Sequence, residues 1–180
     1  WWPLVEKKEV EAIIVTASGC GVTVKEYGHL LRHDSVYAGK AATISTLAKD
    51  ISEILHAELE NLRYLFSQKH PTLKTKLSFH SPCTLQHGMQ IRGVVEEILQ
   101  AAGFELSYVA NAHLCCGSAG TYSILQPELS QQLLKNKLAA LESSNPDHIA
   151  TANIGCLMHL KSGAAFPVKH WIELLDERLS

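Results

Sequence analysis

Short runs of apolar and β-branched residues recur along the chain and predict the strands of a sheet. Residues 11–17 lack the polar alternation of a half-exposed strand, so they predict a strand buried on both faces, as in a parallel sheet. Residues 76–80 alternate in polarity before Ser81-Pro82-Cys83, where the proline predicts the end of the strand. Further strands are predicted over 104–110, 147–152 and 164–169.

Apolar residues spaced three and four apart predict helices between these strands. The longest stripe predicts one continuous amphipathic helix over 42–67, followed by a loop over 68–75. Gly103 is placed as the left-handed stop of a helix over 88–102. The remaining segments are predicted as a helix tail over 2–10, helices over 22–31, 127–142 and 171–179, and a polar connection over 32–39.

Strands and helices alternate along the whole chain, which predicts an α/β fold with a mostly parallel sheet and flanking helices. The length of 180 residues suits one globular unit, and a hydrophobic content of 46% is sufficient for a sizeable core. We therefore expect a fold that needs no disulfide bonds for its stability.

Charge and hydropathy narrow the range of partners. The 16 basic and 18 acidic residues give a net charge of −2 without a basic run, which predicts neither nucleic-acid binding nor a polybasic membrane anchor. We see no apolar run of about 18 residues and no signal peptide, so we expect a cytoplasmic, reducing compartment in which thiols bind metals. The chain opens with Trp1-Trp2-Pro3 and no Met, and we expect it to be a fragment of a longer protein.

The five cysteines all follow predicted strands. Cys20, Cys83, the adjacent pair Cys115-Cys116 and Cys156 each come after a predicted carboxyl end. Because parallel sheets bind ligands at that edge, the cysteines are expected to converge on a metal centre there. The neighbouring glycines, Gly117 and Gly120, permit a close approach of the backbone.

A trace of internal repetition links the two ends of the chain. The strand and turn at 12–20, ending in Cys20, resemble those at 149–156, ending in Cys156, with one residue inserted in the second copy. We therefore expect two parts packed as one globular unit. Residues 1–40 would be the tail of a truncated first repeat, and residues 41–180 would be the linking long helix and a complete second repeat.

The cysteine spacing resembles that of the cysteine-rich CCG-domain family, which includes heterodisulfide reductase B subunits and the iron-sulfur subunits of glycolate oxidases. The family pattern is a cysteine, then Cys-Cys-Gly, then Cys-x-x-Cys, usually in two copies. Here 31 residues (84–114) separate Cys83 from Cys115-Cys116-Gly117, and 38 residues (118–155) separate that motif from Cys156. The last position of the pattern is His159 instead of cysteine.

The resemblance covers essentially the whole chain and is strongest to the C-terminal part of the glycolate oxidase subunits, over 15–31 (VTASGCGVTVKEYGHLL) and 114–122 (LCCGSAGTY). It implies a [4Fe-4S] cluster held by Cys83, Cys115, Cys116 and Cys156. It also implies electron transfer from a flavin-containing partner subunit that oxidises glycolate to glyoxylate. No catalytic residue is expected on this chain, and contact with the cytoplasmic side of the inner membrane would be made by partner subunits.

Three alternatives remain open. The first is a heterodisulfide-reductase-like or lactate-utilisation subunit of the same family. The second is a zinc-stabilised binding module, in which Zn²⁺ is held by the four cysteines or by three of them and His159. In the third, Cys20 is a nucleophile at a strand-to-helix turn, although no partnered base is identifiable.

Cys20 and four histidines are secondary candidates. Cys20 is either a buried apolar side chain or a ligand in the intact protein, and His159 is a candidate fifth ligand. His80, His87 and His113 also lie near the same strand ends, but an isolated histidine is more often a satisfied or surface residue than a ligand.

Overall fold

The computed structural model describes residues 1–69 and 75–180, which form two parallel sheets among helices. In the first sheet, β1 (Ile13–Val15) pairs with β2 (Ala48–Asp50). The second sheet has the order β4-β3-β5-β6. Its strands are β3 (Thr75–His80), β4 (Phe104–Leu106), β5 (His148–Thr151) and β6 (Val168–His170). The pairings in both sheets are parallel, so the predicted α/β fold is confirmed.

The helices connect these strands. In chain order they are α1 (Trp2–Glu6), α2 (Ser18–Lys25), α3 (Tyr27–Leu30), α4 (Ala38–Leu47), α5 (Ile51–Ala57), α6 (Leu59–Lys69), α7 (Val94–Ala101), α8 (Tyr122–Leu125), α9 (Pro127–Glu142), α10 (Ile154–Lys161) and α11 (Trp171–Leu179). A π-helical turn, Thr84–Gly88, follows β3.

The prediction of one continuous helix over 42–67 is wrong. The chain leaves α4 at Leu47, pairs with β1 as β2, and begins a new helix at Ile51. The Asp50 carboxylate accepts a hydrogen bond from the Ser52 amide at 2.9 Å, and the Glu53 carboxylate accepts one from the Asp50 amide at 2.8 Å. This capping box satisfies the amides at a helix start, and it therefore fixes a boundary inside the apolar stripe.

Other boundaries shift by a few residues. The helix predicted from residue 22 begins at Ser18, and the one predicted from residue 88 begins at Val94. Strand β4 ends at Leu106, short of the predicted residue 110. The loop predicted over 68–75 falls partly on residues 70–74, which lie outside the described residues.

Other predictions are confirmed. The α9 and α11 bounds agree with the helices predicted over 127–142 and 171–179. Gly103 has φ +85° and ends α7 in the left-handed region, as predicted. Helices α8 and α10 were not predicted as separate elements from the apolar pattern.

The four-stranded sheet separates two apolar layers. On one face, α7 contributes Val95, Ile98 and Leu99 to a core that also contains Trp171 and Leu174 of α11. On the other face, α9 and α10 pack together against the sheet. That second core contains Leu134, Leu138, Leu141, Ile149, Leu157 and Leu160. Cys116 and Cys156 belong to the second layer.

The central strands, β3 and β5, are followed by helices that belong to different layers. After β3 the chain passes to α7 in the first apolar layer, whereas after β5 it passes to α10 in the second. Connections that diverge in this way leave a crevice at the carboxyl ends of the two strands. This crevice is where the cysteine-bearing segments lie.

Candidate metal centre

Two cysteines are positioned by the ends of the central strands. Strand β3 ends at His80 and is followed by Cys83, whereas β5 ends at Thr151 and is followed by Cys156 in the first turn of α10. His80 and Thr151 are register partners in the parallel pairing, so both segments leave the sheet at the same level. The two cysteines therefore approach each other from neighbouring strands.

The adjacent cysteines come from the irregular segment between β4 and α8. Cys116 is 1% exposed, and Gly117 has φ +96°. A Cβ atom at Gly117 would lie 2.5 Å from the Ser130 carbonyl oxygen of α9. Glycine is therefore required at position 117 both by the backbone conformation and by the close approach of α9, which hold Cys115 and Cys116 against the sheet.

The structure brings four of the five cysteines together. Their sulfur atoms form a row in the order Cys83, Cys115, Cys116 and Cys156, in which each sulfur is within hydrogen-bonding reach of the next. Three separate segments of the chain supply the row. We call these four residues the cysteine row.

Nitrogen donors surround the cysteine row. The Gly117 amide lies 3.3 Å from Cys115 Sγ, and the Asn153 side-chain amide lies 3.5 Å from Cys156 Sγ. The amides of Thr84 and Ser118 also donate to Cys83 and Cys116 respectively. Such N–H groups stabilise negative charge on sulfur, which is the form that binds a metal.

The pKa values of the four thiols shift in opposite directions along the row. Hydrogen bonding with the Cys116 thiol, whose single S–H can serve either neighbour, is the main cause that lowers the pKa of Cys156 to about 5 and that lowers the pKa of Cys115. The pKa values of Cys83 and Cys116 are raised, chiefly because each donates a hydrogen bond to Cys115. Charge on one sulfur disfavours charge on its neighbour, so a bound cation is what would allow all four to ionise.

His80 extends the row and was given little weight from the sequence. One of its ring nitrogens lies within 4.8 Å of both Cys116 Sγ and Cys156 Sγ, in a group of three buried donors. Its side chain is 2% exposed and within hydrogen-bonding reach of the Cys156 sulfur, and neither ring nitrogen pairs with a nitrogen or oxygen atom among the described residues. Thiolate and imidazole donors at this separation fit a metal centre.

The two secondary candidates lie apart from this group. Cys20 is exposed as the third residue of α2, and the group of three buried donors does not include it. His159 Nε2 lies 3.3 Å from Ser130 Oγ and stands against Gly117 on the α9 side. The apolar pattern gave no signal that would have separated His80 from His159.

A buried cation lies behind the adjacent cysteines. Lys137 of α9 is 3% exposed, and its ammonium donates to the carbonyls of Asn111 and Ala112 at 3.0 and 3.3 Å. Burial lowers the pKa of Lys137, whereas the charges of Cys116 and Cys115 oppose that shift. Lys137 and Cys115 line one cavity of about 200 Å³. The ammonium therefore holds the chain segment that leads to Cys115 and Cys116, and it offsets negative charge on their sulfurs.

No helix within residues 1–69 and 75–180 has both the length and the apolar character needed to cross a bilayer.

The segment that holds the cysteine row matches a known protein family. Residues 77–161 match the CCG family, described as a cysteine-rich domain. The matched region contains β4, β5, all but the first two residues of β3, and the whole cysteine row. The resemblance noted in the sequence is thereby confirmed for the part of the chain that forms the site.

The curated relatives span longer chains. The chain is 49% identical over 180 residues to the glycolate oxidase iron-sulfur subunit of Escherichia coli (strain K12), covering 99% of this chain and 42% of that protein. It is 35% identical over 161 residues to the probable glycolate oxidase iron-sulfur subunit of Bacillus subtilis (strain 168), covering 88% of this chain and 35% of that protein. Identity to lactate utilization protein A of Anoxybacillus flavithermus is 26% over 181 residues, covering 95% of this chain and 72% of that protein. The chain spans less than half the length of the first two relatives.

Proposed function

We propose that this chain holds an iron-sulfur cluster and transfers electrons within a glycolate oxidase complex. The premise is that residues 77–161 form a cysteine-rich domain of the CCG family. The observation that carries the proposal is the cysteine row at the crevice between β3 and β5. Cysteine thiolates are the usual ligands of iron-sulfur clusters, and four is the usual number for [4Fe-4S]. The proposed ligands are Cys83, Cys115, Cys116 and Cys156.

The surrounding residues suit that role. When bound, a cluster would supply a one-electron carrier at the sheet edge. The amide donors around the row and the Lys137 ammonium would offset the negative charge of the thiolates. Buried Cys116 and Cys156 would keep water from part of the site. Binding would displace the protons held by Cys83 and Cys116, because a metal takes the thiolate form.

The partner subunit is proposed from the relatives. Two of them are named iron-sulfur subunits of glycolate oxidase, a name that implies other subunits in a complex. Oxidation of glycolate to glyoxylate releases two electrons and two protons. A flavin-containing partner would accept the electron pair and pass the electrons singly to this chain. Catalytic residues would then lie on the partner, and the complex would work on the cytoplasmic side of the membrane.

The division into repeats is also proposed. Helix α2 follows β1 as α10 follows β5, and Cys20 and Cys156 are each the third residue of their helix. The Gly19 amide donates to the Asn153 side chain at 3.3 Å, so the two turns lie together. Residues 1–40 would be the end of a first repeat, and 41–180 the linker and second repeat. The proposed boundary at residue 40 falls inside helix α4, which runs across that residue.

The proposal is tested by single serine variants at the four cysteines, with Cys20→Ser as the matched control. The chain is purified anaerobically, and iron, acid-labile sulfide and zinc are measured for each variant. We expect about four irons with sulfide in the wild type, because that is the composition of a four-thiolate cluster. Serine at Cys83, Cys115, Cys116 or Cys156 lowers the iron content, whereas Cys20→Ser retains it.

Two outcomes contradict the proposal. Zinc without sulfide in the wild-type chain supports the zinc-stabilised module instead. Iron retained by all four serine variants means that the cluster is held elsewhere. If the cluster is present, electron uptake from glycolate or lactate through the reconstituted complex separates the glycolate oxidase role from the lactate-utilisation role.

A further inference from the structure

We infer that His80 is a nitrogen ligand of the metal centre, acting beside Cys116 and Cys156. The inference rests on the proposed function and adds a donor to its four thiolates. A ring nitrogen of His80 and the sulfurs of Cys116 and Cys156 lie within 4.8 Å of one another. An imidazole and two thiolates at this separation can share one metal ion or one edge of a cluster.

Outside the cysteine sulfurs, no group in the described part of the chain pairs with the His80 ring. The ring is 2% exposed and within hydrogen-bonding reach of the Cys156 sulfur, and neither Nδ1 nor Nε2 pairs with a nitrogen or oxygen atom there. A buried polar group without a partner costs free energy that the fold ordinarily avoids by pairing it. A metal bound on the side of Cys116 and Cys156 satisfies one ring nitrogen directly.

The sheet holds His80 in a fixed direction. Phe79 is buried in the layer of α7 and α11, so alternation along β3 turns His80 toward the opposite layer, where Cys116 and Cys156 lie. Its register partner Thr151 also has a buried hydroxyl without a partner among the described residues. The crevice therefore contains a buried imidazole that pairs with no nitrogen or oxygen atom, and an unpaired hydroxyl, next to the sulfurs, as expected of a site completed by a ligand.

The other histidine close to the cysteine row makes the contrast clear. His159 Nε2 lies 3.3 Å from the Ser130 hydroxyl, which itself donates to the Gly117 carbonyl at 2.9 Å. His159 thus has a structural partner on the α9 side, and the group of three buried donors does not include it. His80 is the better candidate, even though His159 occupies the last position of the cysteine pattern.

An imidazole ligand has a chemical consequence. A neutral imidazole leaves one negative charge fewer on the centre than a thiolate does, which favours reduction. His80→Cys therefore shifts the one-electron reduction equilibrium at least about tenfold toward the oxidised form, equivalent to about 59 mV. This shift distinguishes a ligand from a residue that only fills space.

The direct test detects a histidine nitrogen at the centre. The wild-type chain is produced with ¹⁵N only in its histidines, reduced anaerobically and studied by pulsed electron paramagnetic resonance. We expect a directly bound imidazole coupling in the wild type. The coupling should persist in His159→Gln, the matched control, and be lost in His80→Gln and His80→Cys. His80→Cys keeps a donor at the position in case His80→Gln loses the cluster.

The outcomes separate the two claims. A cluster without histidine coupling, or a coupling that survives at full strength in a His80 variant, overturns the role of His80 and leaves the proposed function standing. Wild-type chain without iron and sulfide overturns both. A wild-type coupling that survives His159→Gln supports the ligand role even if the His80 variants fail to fold, because His80 is the histidine in the group of buried donors.

Discussion

At the scale of single residues, the site depends on groups that surround the sulfurs as well as on the sulfurs themselves. Lys137 is buried and donates hydrogen bonds to the carbonyls of Asn111 and Ala112, which precede the adjacent cysteines in the chain. Gly117 allows α9 to pack directly against the same segment. The polypeptide therefore holds Cys115 and Cys116 from two sides, and we expect the geometry of the row to be largely preformed.

Replacement of Gly117 tests this packing. Gly117→Ala places a Cβ 2.5 Å from the Ser130 carbonyl oxygen at φ +96°, so either α9 or the cysteine segment must move. We expect a loss of about 2–4 kcal/mol in the free energy of unfolding, measured with urea, together with reduced iron retention.

Gly120→Ala is the matched control for that change. Gly120 also has positive φ, +55°, but a Cβ there would meet no atom of the described residues within 4 Å. Only backbone strain is then expected, at about 1 kcal/mol. Equal effects of the two substitutions would show that the contact with α9 does not position the cysteines.

The sequence was sufficient to nominate most of the residues at the site. Cysteines at strand ends can be recognised in the sequence because cysteine is rare. A cysteine that follows a predicted strand is expected at the carboxyl edge of the parallel sheet. His80 was not selected, because a histidine at a strand end is equally compatible with a surface or a hydrogen-bonded role. Only the three-dimensional surroundings show that, outside the cysteine sulfurs, its nitrogens have no partner in the described chain.

At the scale of elements, the largest difference from the sequence prediction is the division of the helix expected over 42–67. Its apolar spacing is genuine, but Asp50, Ser52 and Glu53 form a helix start within it. An aspartate followed three positions later by glutamate is a readable N-terminal signal, and it outweighs the apolar period here. The pairing of β2 with β1 depends on tertiary contacts and has no local signature.

Helix α11 begins with a similar box that depends on pH. His170 Nδ1 accepts from the Ile172 amide at 3.4 Å, and only an unprotonated nitrogen can accept. Burial lowers the pKa of His170 below its usual 6.5, against the opposing effect of the Thr16 carbonyl. The unfolded chain therefore takes up a proton more readily, and stability present above pH 6.5 is lost as the pH falls through that value toward the folded pKa.

His170→Asn removes this ionisation and keeps a good capping residue. Between pH 7 and 5 the wild type should lose stability relative to the variant by at most about 1.4 kcal/mol per pH unit, the limit for one proton. The free energy of unfolding, measured with urea at several pH values, checks this difference. Parallel pH profiles for the two chains would contradict the assignment to His170.

At the scale of the whole molecule, the crevice arises from topology. The parallel pairing of β3 with β5, and the passage of their following helices into opposite layers, bring distant cysteines to one edge. Alternation of strands and helices was enough to predict this sheet. The separate β1-β2 sheet was not predicted, because local sequence does not specify which strands pair.

The most direct test of the central claim is the metal and sulfide content of the anaerobically purified chain, combined with its electron paramagnetic resonance spectrum on reduction. We predict about four irons with matching acid-labile sulfide and a signal that appears on reduction, as expected for a cluster held by the cysteine row. A folded chain that binds zinc without sulfide, or that binds no iron after reconstitution, would contradict the claim.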